Sequence, residues 1–192
     1  MTAPAAVIVL SGKRKSGKDY VASVVQNRLG ADMCCIFRLS GPLKYQYAKE
    51  HNLDFDRLLD ASEYKEKYRM DMIRWGEERR TEDPSFFCRL ATQGEGSDRP
   101  VWIVSDARRL SDLQYFHSNF RKQVITVRVT ADEDVRKARG YVFTKGVDDV
   151  ESECGLDIGV EWDVVITNNN EARKFEEQIT YLVNQVQARL RN

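Results

Sequence analysis

The stretch AVIVLSGKRKSGKD, residues 6–19, decides how this chain is read. An apolar run of strand length, Ala6 to Leu10, leads into Gly12, Lys13, Arg14, Lys15, Ser16, Gly17 and Lys18, which carry the spacing G-x-x-x-x-G-K of a phosphate-binding loop. The two glycines admit backbone angles that a side chain forbids. Successive N–H groups can then turn inward around a phosphate while Lys18 neutralises its outer charge. Beyond the loop, Val21, Val24, Val25 and Leu29 recur at helical spacing, and Gly30 supplies the stop. Strand, glycine turn and helix together put the positive end of a helix dipole beneath the anion. The segment predicts a nucleoside-triphosphate site on an α/β scaffold.

The residue after the lysine is Asp19, where this motif usually has a Ser or Thr hydroxyl for magnesium. A carboxylate is also a hard oxygen ligand, so Asp19 is a candidate metal ligand, directly or through water. The competing reading is an acid in the first helical turn, favoured by the dipole.

Composition bounds the rest. A chain of 192 residues with 42% hydrophobic content can bury one substantial core, so one main domain is expected. Thirty Lys plus Arg balance thirty Asp plus Glu, so net charge points to neither nucleic acid nor membrane, and any positive field must be local. Cys34, Cys35, Cys88 and Cys154 contain no C-x-x-C pair, and only His51 and His117 accompany them, which suggests neither a zinc site nor a disulfide framework. The first apolar run is too short to span a bilayer or serve as a secretory signal, so a cytosolic location is expected. The ending Leu190, Arg191, Asn192 is not of the S-K-L type, which argues against peroxisomal import.

Strand and helix patterns alternate along the chain without repeats or a long linker. Cys34 to Phe37, Val101 to Val104, Val124 to Val129 and Val164 to Ile166 read as strands. Helical patterns run from about Pro42 through Arg80, and a last helix carries Phe175, Ile179, Leu182, Val183 and Val186 on one face. A mostly parallel sheet follows, with ligands expected at the carboxyl ends of its strands.

Three basic clusters stand out. Between Tyr64 and Arg80, helical spacing puts Tyr64, Tyr68, Met72 and Trp75 on a docking face and Lys65, Arg69 and Arg80 on a neighbouring free face. That basic stripe is either a ligand surface or a solvated face paired with nearby glutamates. Asp106, Arg108 and Arg109 follow the strand at 101–104, where planar guanidinium groups can hold a phosphate or carboxylate. Asp106 reads as a magnesium carboxylate, a partner for Arg108 or a helix cap. Arg136, Lys137 and Arg139 precede Gly140 and an acidic, glycine-containing stretch, which reads as a helix leading into a flexible lid or as a plain surface helix and loop. Asn168, Asn169 and Asn170 suit either adenine binding or a polar turn before the final helix.

The strings SGKRKSGKD (11–19), LSGPLK (39–44), YKEKYRMDMIRWGEERR (64–80), VSDARR (104–109) and GVDDVESECGLD (146–157) closely resemble the animal-type phosphomevalonate kinase family, nearly end to end. The resemblance implies a P-loop three-layer α/β/α fold like that of nucleoside monophosphate kinases. It would form a single domain over 1–192, with an acceptor-binding helical region at about 40–95 and a mobile lid at about 132–158. It implies transfer of the γ-phosphoryl group of ATP, with Mg2+, to (R)-5-phosphomevalonate in the mevalonate route to isoprenoids and sterols. Gly12, Lys13, Arg14, Lys15, Ser16, Gly17, Lys18 and Asp19, with Arg136, Arg139 and Asn168, would meet the nucleotide. Asp19 and Asp106 would meet the metal. Lys44, Lys65, Arg69, Arg80, Arg89, Arg108 and Arg109 match basic positions for the acceptor, and Lys15, Lys18, Arg109 and Arg139 would serve as catalytic cations. Small-molecule partners and a monomer are expected. A nucleoside monophosphate kinase is the alternative enzyme. A guanine-nucleotide switch is disfavoured because neither N-K-x-D nor D-x-x-G occurs.

Overall fold

The structure, a computed structural model, describes residues 3–59 and 63–191. Asp60, Ala61 and Ser62 of the expected helical stretch and Asn192 of the C-terminal tripeptide lie outside the described residues. The chain divides into two compact units: Met1–Phe37 with Glu95–Asn192, and Arg38–Gly94.

The first unit is built on β1 (Ala6–Ser11), all of it buried. It lies at the centre of a five-stranded sheet in the order β2-β3-β1-β4-β5, with β2 Cys34–Phe37, β3 Val101–Val104, β4 Val124–Thr130 and β5 Val164–Thr167. Every pairing is parallel. Ile8 lies opposite Ile103 on one side and Ile125 on the other, so short β-branched runs stack into one apolar layer.

Helices cover both faces. Val21, Ala22 and Val25 of α1 (Lys18–Leu29) and Ile179, Leu182, Val183 and Val186 of the long C-terminal helix (Ala172–Leu190) join Ala6, Ile8, Leu10, Ile125 and Val127 in one core. The helix at Leu110–Phe120 packs on β1 and β4, with Leu113 and Phe116 buried. The Trp102 ring meets Phe37 and Phe120 edge-on at 5.3 and 5.2 Å. This is the three-layer α/β/α arrangement. The chain leaves β1 toward β2 on one side and returns through β3 to β4 on the other, so the strand order reverses at the carboxyl end of β1. A crevice forms at such a reversal.

The second unit is helical. In chain order its helices are α2 (Ser40–His51), α3 (Phe55–Leu59), α4 (Glu63–Glu82) and α5 (Phe86–Thr92), around Tyr47, Ala48, Leu58, Met72, Trp75 and Phe87. The sequence pattern showed no α5, since seven residues give too few turns for a period. Numbering continues in the first unit with α6 (Leu110–Phe120), α7 (Glu133–Ala138), α8 (Glu151–Cys154) and α9 (Ala172–Leu190). Among the described residues no helix is long and apolar enough to cross a membrane.

Ile8 has no exposed surface and touches both neighbouring strands. Ile8→Ala is expected to destabilise the protein by about 2–5 kcal/mol, read as a fall in the urea midpoint with an unchanged slope.

Candidate active site

Residues 12–17 pass from β1 into α1 under tight steric control. A Cβ on Gly12 would lie 2.3 Å from the Val129 carbonyl oxygen, and one on Gly17 would lie 2.2 Å from Asn168 Nδ2. Gly17 also has φ 95°, and Lys15 has φ 62°. The loop is thus seated between the end of β4 and the residue after β5, and only glycine fits at either contact.

Lys18 opens α1 and is nearly buried. Its ammonium donates to the Gly12 carbonyl at 2.6 Å and more weakly to that of Lys13 at 3.4 Å. Burial lowers its pKa to about 8; the charge of Arg108 adds to the fall, while Asp106 and Asp19 oppose it. These interactions bring Arg108 of the second basic cluster and both candidate metal carboxylates around one ammonium group.

Arg108 and Arg109 follow β3 and lead into α6, where the Asp112 carboxylate accepts from their backbone N–H groups at 2.9 and 3.1 Å. Arg108 donates to the Ser152 carbonyl at 3.2 Å and pairs with Glu153 of α8. Arg109 is buried, which lowers its pKa against the opposing charges of Asp112 and Glu151.

The segment between β4 and β5 also reaches the loop. Arg139 donates to the carbonyls of Lys15 (3.3 Å), Ser16 (3.2 Å) and Asn168 (2.8 Å). Asn168 donates its own Nδ2 to the Ser16 carbonyl at 2.9 Å. Lys13 pairs with Asp157 at 2.7 Å, and Arg14 with Asp148 at 2.8 Å. The Arg136 guanidinium lies 4.3 Å from the Tyr141 ring centre. Beside the loop, Gly17, Tyr20, Arg139, Asn168, Asn170 and Phe175 line a cavity of about 540 Å3, and the Tyr20 and Phe175 rings stack at 5.6 Å.

The remaining basic positions belong to the helical unit. Lys44 lies on α2, half-buried, and Lys65, Arg69 and Arg80 lie on α4. Arg69 agrees with the glutamate-paired reading of the basic stripe, whereas the placement of Arg80 on a free face is corrected here. Arg69 forks onto Glu66, and Arg80 is buried with its guanidinium 4.5 Å from the Phe87 ring centre, on the same side as Met72, Trp75 and Gly76. Gly76 is the reason. A Cβ there would press on Leu43 at 2.8 Å and on Arg80 Nη1 at 3.2 Å, so its missing side chain makes room for the guanidinium one turn later. Arg89 of α5 pairs with Asp83, and together with Ser85 it holds that carboxyl down to about 2.

Comparison with known proteins decides the family. A family model described as phosphomevalonate kinase matches residues 10–122. A phosphomevalonate kinase of Drosophila melanogaster is 43% identical over 189 residues, covering 96% of this chain and 98% of its own. The chain belongs to the phosphomevalonate kinase family. Among solved structures, TT1252 from Thermus thermophilus superposes with a TM-score of 0.55 at 14% identity, covering 96% of this chain and 99% of its own, which is a likeness of fold.

Within this member of the phosphomevalonate kinase family, sequence reasoning missed Arg128, Asp148, Asp157, Tyr141 and Asp112. Arg128 donates to Ser11 Oγ at 3.2 Å, pairs with Asp157 and lowers the Lys18 pKa. A lone arginine inside the apolar strand VITVRVT was a signal for it, because a charge on a buried strand needs a partner. Asp148, Asp157 and Tyr141 gave no such signal, since only the tertiary fold brings them to Lys13 and Arg14.

The depressed Lys18 pKa makes two measurable differences. Between about pH 8 and 10.5 the unfolded chain holds the Lys18 proton more tightly than the folded one, so this group's contribution to stability rises with pH across that window. A phosphate beside Lys18 favours its charged form, so binding of a nucleoside triphosphate at pH 8 should take up protons. Calorimetry in two buffers of different ionisation enthalpy reads this uptake, which should vanish in Lys18→Met.

Proposed function

We propose that this protein transfers the γ-phosphoryl group of MgATP to the phosphate of (R)-5-phosphomevalonate, giving ADP and (R)-5-diphosphomevalonate. Family membership indicates the acceptor, and the observation that carries the chemistry is the buried Lys18 inside a glycine loop ringed by arginines. An acceptor phosphate oxygen forms the new bond to the γ-phosphorus while the bond from that phosphorus to the ADP oxygen breaks. The acceptor phosphate is already largely ionised near neutral pH, so no strong general base is required, and the protein's task is positioning and charge compensation.

In this reading the N–H groups of residues 12–17 and the Lys18 ammonium hold the nucleotide phosphates. Lys18 exchanges the Gly12 carbonyl for a phosphate oxygen. Lys13, Arg14, Lys15, Arg136 and Arg139 add positive charge from the loop and the segment after β4. Arg108 and Arg109, with Lys44, Lys65, Arg69, Arg80 and Arg89, are the cations proposed for the acceptor's phosphate and carboxylate. The cavity with the Tyr20 and Phe175 rings suits the adenine base, with Asn168 at its edge.

Magnesium fits the donor set. Asp19 and Asp106 are hard oxygen donors whose charges both act on Lys18, and among the described residues no group of three or more His, Cys, Asp or Glu forms a cage of its own. That suits an ion held by one or two carboxylates together with substrate phosphates. Bound there, it would offset charge on the transferred group.

The test is ADP formation with (R)-5-phosphomevalonate, with a panel of nucleoside monophosphates and with no acceptor. Turnover dependent on phosphomevalonate alone is expected, and turnover only with a nucleotide would overturn the acceptor assignment. Lys18→Met should fold normally and lose about 10²–10³-fold in kcat. Arg109→Ala should impair use of the acceptor; unchanged kinetics with both substrates would remove Arg109 from the site.

A further inference from the structure

Arg14 is the P-loop side chain whose setting is most fully built by another part of the chain. Its Nη1 donates to Asp148 Oδ2 at 2.8 Å, and its guanidinium lies 6.0 Å from the centre of the Tyr141 ring. The Arg136 guanidinium lies 4.3 Å from that same ring centre. Two like charges thus share one aromatic ring, an arrangement that needs a nearby anion and a polarisable surface to offset their repulsion. Asp148 and Tyr141 supply these.

The Asp148 carboxylate is itself fixed. It accepts from the Thr144 backbone N–H at 2.8 Å, while the Thr144 carbonyl accepts from Val147 and Asp148 N–H groups at 3.0 Å each. Its side chain is only 5% exposed, against 27% for Arg14, and the adjacent Val147 is buried. The turn at 144–148 is therefore the stiff partner and the arginine the adjustable one. Asp148 takes one of the five N–H donors that a guanidinium carries, which leaves an edge to meet an anion. The contact aims Arg14 and does not occlude it.

We infer that Asp148 and Tyr141 are positioning residues for nucleotide binding, the carboxylate by fixing the direction of Arg14 and the ring by packing against the guanidinium groups of Arg14 and Arg136. This rests on the reading of residues 12–19 as the nucleotide site. Preorganising a cation removes part of the ordering cost from the binding step. Losing the charge-assisted bond should then weaken binding about tenfold, while the turn survives because an amide oxygen can still accept from Thr144.

The experiment measures the MgATP dissociation constant by calorimetry for wild type, Asp148→Asn, Arg14→Met and the double variant, each checked for an unchanged melting temperature. The expected pattern is about tenfold weaker binding in Asp148→Asn, at least as large a loss in Arg14→Met, and a double variant no worse than Arg14→Met. Tyr141→Phe should bind like wild type and Tyr141→Leu more weakly. The KM for the acceptor should stay unchanged in Asp148→Asn. Additive losses in the double variant, or wild-type affinity in Asp148→Asn, would overturn the inference. Wild-type affinity in Arg14→Met would overturn it together with the assignment of Arg14 to the phosphates. Normal MgATP binding without turnover on phosphomevalonate would instead count against the acceptor alone, because binding is read without it.

Discussion

The close seating of the P-loop against the end of β4 is the constraint on which the site depends. With the Val129 carbonyl where a Gly12 Cβ would be, and Asn168 where a Gly17 Cβ would be, the loop has one path from strand to helix. That path directs the Lys18 ammonium at the Gly12 carbonyl, and the charges of Asp19, Asp106, Arg108 and Arg128 all act on it there. Side chains from after β3, β4 and β5 meet at this point because the strand order reverses at β1.

Much of this was legible in the sequence, for definite physical reasons. Parallel strands buried on both faces read as continuous apolar runs, and helices such as α9 keep one apolar stripe over five turns, so both announce themselves. The P-loop is legible because its chemistry is local, with glycines and a lysine at fixed offsets. The five-residue α3 and seven-residue α5 are too short to show a period. The burial of Arg80 was hidden because it depends on the absence of a side chain at Gly76, and a helical wheel assigns a face without knowing what a neighbouring glycine admits. Asp148 and Asp157 looked like solvated acids because the loop cations they pair with, Arg14 and Lys13, lie more than a hundred residues away.

The charge distribution follows from the same geometry. A chain with no net charge still concentrates cations around one loop, and it does so by pairing several of them with acids from a single segment: Asp148 with Arg14, Asp157 with Lys13 and Arg128, Glu153 with Arg108. Each pair fixes a direction as well as offsetting a charge. Such a site differs from a surface patch of lysines, where attraction is long-range and screened by salt.

Arg139 makes a joint of a different kind. Its partners at Lys15 and Ser16 are main-chain carbonyls, so the grip on the loop does not depend on which side chains those two positions carry. A joint made to the backbone is tolerant of sequence drift on the receiving side and exacting only at the arginine. Substitutions at positions 15 and 16 that keep the loop's backbone path leave the segment beyond β4 attached.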